Sequence, residues 1–482
     1  MGTSTLVARP ARLRTAVIAG GAAIAMTATL GLPFVATAAV AAEPATGIAT
    51  LTPVQVPNTT PMIAAAVPLS DYGYTETEFY ATGVASRYRT TAPLSTFELI
   101  DTVSPYKTRV LVRTPDPSAF NGTLVVEWAN VTVGQDVDFA FAESYDYLLS
   151  EGYAVAVVSA QRVGVERLKT WSPERYGDLS VAASNIDPVT GGAVDSTNDP
   201  LAYDIYTQIT RALQSNSGAV APLPGLDVER TIALGESQSA GRLTNYYNGI
   251  QPLTGVFDGF VYLDGAGALR ADQAIPAISV RSDVFRPAPS PATSTYTRTW
   301  EVAGATHASY WGAQYVDALL VRDRSFVVNE VPLSFTQLIT GCTFDPIWSK
   351  VHMGYVLDRA IDATNEWIIT GTAAPASSFF ERAADGTSLR DANNVSLGGV
   401  RLPDVTQPTV KNNPINPGPG FCRLVGSHQD STAAELKSLY KNHGGYVSEV
   451  TKAASSVAAL GYILPARATE IKREAARATI GK

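Results

Sequence analysis

The segment Gly235-Glu236-Ser237-Gln238-Ser239 lies between an apolar run at 230–234 and a helix-like run at 240–247. A strand that halts at Gly-x-Ser-x-small and turns at once into a helix holds its serine on a strained bend. The hydroxyl then projects from the sheet edge and the helix N-terminus faces it. Small residues at the first and last positions let strand and helix approach closely. The last position is usually Gly; here it is Ser, a mild departure because the demand is steric. Gly-x-Ser also occurs at Gly2-Thr3-Ser4 and Gly386-Thr387-Ser388, neither between a strand and a helix. Without that context Ser237 would read as an ordinary helix N-cap.

The rest of the chain supplies a matching frame. Residues 76–115 read as paired strands with turn signals. From 123 onward strands at 123–128, 154–158, 230–234, 259–263, 275–280 and 297–302 alternate with helices near 139–149 and 204–213, and a long amphipathic helix begins near Val351. That alternation predicts an α/β fold: a mostly parallel central sheet with helices on both faces. Met353, Val356, Leu357, Ala360 and Ile361 fall on one face of the long helix and read as core. Polar or breaker-rich insertions are expected at about 162–200 and 308–348. A C-terminal extension starts near 372, irregular to about 425 and then helical, with breaks at Gly444-Gly445 and Gly461. Residues 43–482 are therefore read as one domain with insertions.

Residues 1–42 have the pattern of an export signal. Arg9, Arg12 and Arg14 precede a nearly all-apolar or small stretch at 16–35, and Ala36-Thr37-Ala38 or Val40-Ala41-Ala42 offers cleavage near residues 38–42. An uncleaved anchor is the competing reading, disfavoured by the alanine cluster and the Pro-containing segment after Glu43. Losing three arginines takes the formal charge from −8 to −11. Such acidity argues against nucleic acid and acidic membrane surfaces as partners. No later apolar run reaches spanning length, so a secreted or extracytoplasmic protein without stable membrane insertion is expected. The two cysteines, Cys342 and Cys422, both lie in the exported part and are expected to pair. No Cys/His spacing suggests a metal site, and no cofactor is implied.

A nucleophilic serine needs a base, and the base an orienting acid. Of four histidines, His307 directly follows the last strand, on a loop able to reach over the sheet edge; His352, at the start of the long helix, is the alternative. His428 lies in a polar stretch, and His443 reads as a helix C-terminal cap. The acid is expected between serine and histidine in sequence. Asp283, after the strand at 275–280, is the first choice, and Asp264, one strand earlier, the alternative. Oxyanion donors are expected from the backbone N–H of Gln238 and of Asn130 or Val131. Tyr310 and Trp311, beside His307, line a substrate pocket or pack under the neighbouring insertion.

With these residues in place the chain resembles the alpha/beta-hydrolase superfamily, and more narrowly a bacterial family known only as alpha/beta hydrolase domain-containing proteins. The resemblance rests on VEWANV at 126–131, VSAQRVGV at 158–165, WSPERYG at 171–177, YDIY at 203–206 and GESQSAGRL at 235–243. EVAGATH at 301–307, GGVRLP at 398–403 and GFCRL at 420–424 complete it. Family members often carry an acidic pair where this chain has only Ser282-Asp283-Val284. The resemblance implies serine hydrolysis of small-molecule or polymeric esters through an acyl-enzyme, and leaves substrate and oligomeric state undefined. An amidase, lactonase or acyltransferase with the same triad, or a non-catalytic binding module on the same fold, are the competing functions.

Overall fold

The computed structural model describes residues 47–217, 220–284 and 294–481, all belonging to one compact unit. The export-signal reading of residues 1–42 lies outside the described residues. Nine strands form one sheet: β1 (Thr50–Pro53), β2 (Tyr74–Arg89), β3 (Glu98–Pro115), β4 (Thr123–Trp128), β5 (Ala154–Val158), β6 (Arg230–Glu236), β7 (Gly259–Leu263), β8 (Ala277–Ser282) and β9 (Thr297–Val302). Their spatial order is β1-β2-β3-β5-β4-β6-β7-β8-β9. The first three and the β3–β5 junction are antiparallel, and every pair from β5 to β9 is parallel.

The parallel strands β4, β5, β7 and β8 are buried along their whole length, as continuous apolar runs covered on both faces must be. Helices α1 (Phe139–Ser150), α2 (Arg162–Trp171), α3 (Ala202–Ser215) and α4 (Gln238–Asn245) fill connections between strands, and α5 (Tyr310–Arg322) and α6 (Met353–Thr370) follow β9. Met353, Val356, Leu357, Ala360 and Ile361 of α6 are all fully buried, and α6 packs across β6, β7 and β8.

Strand β3 carries two cations, Arg109 and Arg113, that are buried. Arg109 pairs with Glu78 at 3.0 Å and Asp136 at 3.4 Å; Arg113 pairs with Glu76 at 2.8 Å and Asp138 at 2.7 Å. These ions tie the antiparallel edge to the loop after β4.

The C-terminal extension ends in α7 (Ala433–Tyr440), α8 (His443–Ala459) and α9 (Pro465–Arg477). The break expected at Gly444-Gly445 falls just before it, at Lys441-Asn442. Both glycines sit in the first turn of α8, where the Asn442 side chain accepts from Gly445 N–H. His443 accordingly begins a helix rather than ending one. Its ring nitrogens instead approach Ala476 O in the last turn of α9 and Ile480 O beyond it, so it caps a helix distant in sequence. The sulfurs of Cys342 and Cys422 are bonded, with Cα atoms 5.3 Å apart. Among the described residues no helix is long and apolar enough to cross a membrane.

Candidate active site

Ser237 stands between β6 and α4 with φ 53° and ψ −115°, a conformation that L-residues adopt only under constraint. Three neighbours impose it. A Cβ on Gly235 would meet Leu243 at 2.9 Å, and one on Gly265 would lie 2.2 Å from the Ser237 carbonyl oxygen. The third is Ser239, whose hydroxyl accepts from Glu236 N–H at 3.0 Å and donates to Glu236 O at 2.8 Å. The serine in the last motif position thus closes the bend with its own side chain.

His307 projects from the loop after β9 and is 7% exposed. Its Nε2 lies 2.6 Å from Ser237 Oγ, and its Nδ1 lies 2.6 Å from Asp264 Oδ2. Asp264 follows β7, the strand hydrogen-bonded to β6, and is fully buried with φ 50°. Ser282 N–H donates to Asp264 Oδ1 at 2.7 Å and Ser282 Oγ–H to Oδ2 at 2.6 Å. Such bonds hold a carboxylate aimed at one place.

Asp283, the first-choice acid, is not there. Its Oδ2 accepts from Gly304 N–H at 3.0 Å and Ser396 N–H at 2.8 Å; its Oδ1 accepts from Ser396 Oγ at 2.6 Å and Arg390 at 2.7 Å. It sits one strand farther from the elbow, just after β8. An imidazole reaching back to β6 passes over the end of β7, which makes Asp264 the neighbour. His352, the alternative base, has other neighbours: its ring stacks on Tyr355 and meets Trp311 edge-on at 4.0 Å, with Nδ1 3.5 Å from Asp404. Tyr310 and Trp311 line a cleft of about 640 Å³ with His352, Tyr355 and Arg467, and neither Ser237 nor His307 borders it. His428 approaches Trp348 O with Nδ1 at 2.8 Å.

The two oxyanion candidates after β4 also separate. Asn130 N–H donates to Val137 O at 2.9 Å and is committed. Val131 N–H points to Gln238 Oε1 at 3.5 Å, a long contact that leaves it able to take a closer acceptor. Gln238 is held by its Nε2 bond to Gln161 Oε1 at 3.1 Å, which also accepts from Trp128 Nε1 at 3.0 Å. The Gln238 N–H leads the first turn of α4, beside Ser237.

Sequence reasoning passed over three further residues. Glu236 is 5% exposed; its Oε1 lies 3.3 Å from His307 Nε2, while Asn130 Nδ2 donates to its Oε2 at 3.0 Å. Glu143 of α1 accepts from Ser309 N–H at 3.0 Å and Ser309 Oγ at 2.7 Å, anchoring the segment that follows His307. Arg242 of α4 pairs with Asp195 at 2.7 Å and Asp199 at 2.9 Å, latching the 162–200 insertion onto the nucleophile helix. Only Glu236 left a sequence signal, its place beside the serine.

The electrostatics follow from burial. Desolvation, opposed by His307 and reinforced by Asp264 and Glu143, pushes the Glu236 carboxyl up to about 8. Burial works against an imidazolium at His307, but the carboxylates of Asp264, Glu236 and Glu143 outweigh it and lift His307 to about 9. A Glu236 that keeps its proton at neutral pH removes one of the charges sustaining that lift. Burial also raises Glu143. No group of three or more His, Cys, Asp or Glu among the described residues could hold a metal ion.

A serine on a strand-to-helix bend, facing an imidazole backed by a carboxylate just past the neighbouring strand, is the arrangement expected at a nucleophile elbow. The chain belongs to the alpha/beta hydrolase domain family, whose sequence pattern matches residues 42–473. No curated protein matches it. Among solved structures it is similar to an α/β serine hydrolase without a lid from Xanthomonas campestris, at 12% identity and TM-score 0.23, covering 42% of this chain and 71% of that one. It is also similar to acetyl xylan esterase 1 from Thermoanaerobacterium sp. at 13% identity and TM-score 0.24, covering 46% and 56%. The esterase Est22 matches at 15% identity and TM-score 0.21, covering 38% and 43%.

Proposed function

We propose that this protein is an exported serine hydrolase that cleaves carboxylic esters with Ser237, His307 and Asp264. One observation carries the reading: the two 2.6 Å contacts that run from Ser237 Oγ through the His307 ring to Asp264 Oδ2. His307 Nε2 takes the serine proton as Oγ attacks the carbonyl carbon. Asp264 accepts from Nδ1–H, fixing the tautomer and stabilising the imidazolium. The N–H groups of Gln238 and Val131 receive the oxyanion, the latter by exchanging its long contact to Gln238 Oε1 for a shorter one. His307 then returns the proton to the departing alkoxide, leaving an acyl-Ser237. Water, deprotonated by the same Nε2, releases the acid.

The ester preference rests on the family resemblance, and export on the N-terminal pattern together with the Cys342–Cys422 pair, which suits an oxidising compartment. The test is labelling by a fluorophosphonate, expected on the intact protein and absent in Ser237→Ala. An intact protein that never labels would favour a binding module. A panel of ester, lactone and anilide substrates separates the enzyme classes, ester turnover being the expected result. N-terminal sequencing of exported protein should find a start near residues 38–42.

A further inference from the structure

The geometry points to Glu236 as a positioning residue that sets the protonation of His307 from the side of the reacting nitrogen. The inference builds on the triad reading above. Most of the groups around the imidazole already have tasks: Asp264 faces Nδ1, Ser237 faces Nε2, and Glu143 is spent on both donors of Ser309. Glu236 is different. Its Oε2 and carbonyl oxygen are held by the two hydrogens of one amide, Asn130 Nδ2, at 3.0 and 2.9 Å, which fixes the remaining oxygen, Oε1, 3.3 Å from Nε2. A small cavity of about 10 Å³ borders Glu236, Glu143 and His307, walled by Phe139, Ala313, Val316 and Phe335. Bulk solvent is thus kept from screening the pair.

Two oxygens therefore compete for whatever proton Nε2 carries. Moving one proton from Nε2 to Oε1 converts an imidazolium facing a carboxylate into a neutral imidazole facing a neutral carboxyl, with no change in net charge. Only the second arrangement can deprotonate Ser237. The first is favoured by the carboxylates of Asp264 and Glu143, which also face the ring; Arg281 lies electrostatically near Asp264 and His352 near Glu143. Burial favours the second by keeping Glu236 protonated. Once ionised, Glu236 places the onset of base activity at a higher pH than Asp264 and Glu143 alone would, and it accepts from the Nε2–H that forms once serine has given up its proton.

The test reads the resting protein, so it does not depend on any substrate. The Nδ1–H resonance of His307, identified by its loss in His307→Asn, is followed by proton NMR against pH in the intact chain and in Glu236→Gln. The amide keeps the shape and the Asn130 contact but cannot ionise. Its midpoint should fall by about one pH unit or more, and the acid limb of fluorophosphonate labelling should move with it. Glu236→Asp, which withdraws the carboxyl by one methylene, should lie between, and Glu143→Gln should shift less than Glu236→Gln. Coincident midpoints in the intact chain and Glu236→Gln overturn the inference, as does a uniform loss of labelling with an unmoved midpoint, which would make Glu236 a mere brace. A shifted midpoint in a protein that cleaves no ester would support Glu236 and sink the ester reading alone.

Discussion

Ser282 gives both of its donors to Asp264, the N–H to one carboxylate oxygen at 2.7 Å and the hydroxyl to the other at 2.6 Å. The residue next to the expected acid thus orients the carboxylate that faces His307. Asp264→Asn should lower kcat by about 10⁴-fold, the cost of presenting histidine with the wrong tautomer. Asp283→Asn should keep kcat within about tenfold and lower the melting temperature, since its carboxylate holds Gly304, Arg390 and Ser396 rather than the imidazole. Ester kinetics and thermal melts on the two variants decide between them.

Gly265 predicts a second effect. A methyl group there would lie 2.2 Å from the Ser237 carbonyl oxygen and 2.8 Å from Ala240 Cβ, both parts of the bend. Gly265→Ala should cost about 1–3 kcal/mol in stability. It should also slow fluorophosphonate labelling, because the elbow must shift to admit it. A variant that labels at the parental rate would show that the bend tolerates displacement.

Strands β4, β5 and β7 were readable because each carries an apolar run, and these three and β9 match in both bounds, whereas β1 had no sequence signal. Ser237 and His307 were readable for a related reason: the turn chemistry and the position after the last strand constrain where they go. The acid was not. Asp264 and Asp283 each follow a strand, and pattern cannot say which strand end the imidazole crosses. The Arg109 and Arg113 ion pairs were hidden too, since a buried paired cation and an exposed one look alike in sequence. The break expected at Gly444-Gly445 falls at Lys441-Asn442 instead, because Asn442 caps a helix that tolerates glycine in its first turn.

Stability should fall as pH rises. Burial, against opposition from Arg467 and Ser144, lifts Asp358 to about 7; Glu236 stands near 8 and His307 near 9. All three folded-state values exceed the ordinary ones, so the folded chain binds more protons than the unfolded chain across this range. Their contribution is fully present below about pH 4, where the carboxyls of the unfolded chain are protonated too. It is lost as pH climbs through 7, 8 and 9. Melting temperatures between pH 5 and 9 should therefore decline, less steeply in Glu236→Gln and Asp358→Asn. A flat or rising profile that the two variants leave unchanged would contradict these assignments.

Arg242→Leu should destabilise by about 3–5 kcal/mol, because it leaves Asp195 and Asp199 buried without their cation. Adding Asp195→Asn and Asp199→Asn should recover part of that loss. Urea unfolding of the single and triple variants measures both, and no recovery would mean that Arg242 acts through packing on Tyr203 instead.

The Cys342–Cys422 bond closes a ring that contains α6 and the segment carrying Arg390 and Ser396. A protease that nicks the irregular stretch between residues 372 and 421 once therefore leaves a single covalent molecule, both fragments still joined. Such a clipped form would run as two bands only after reduction.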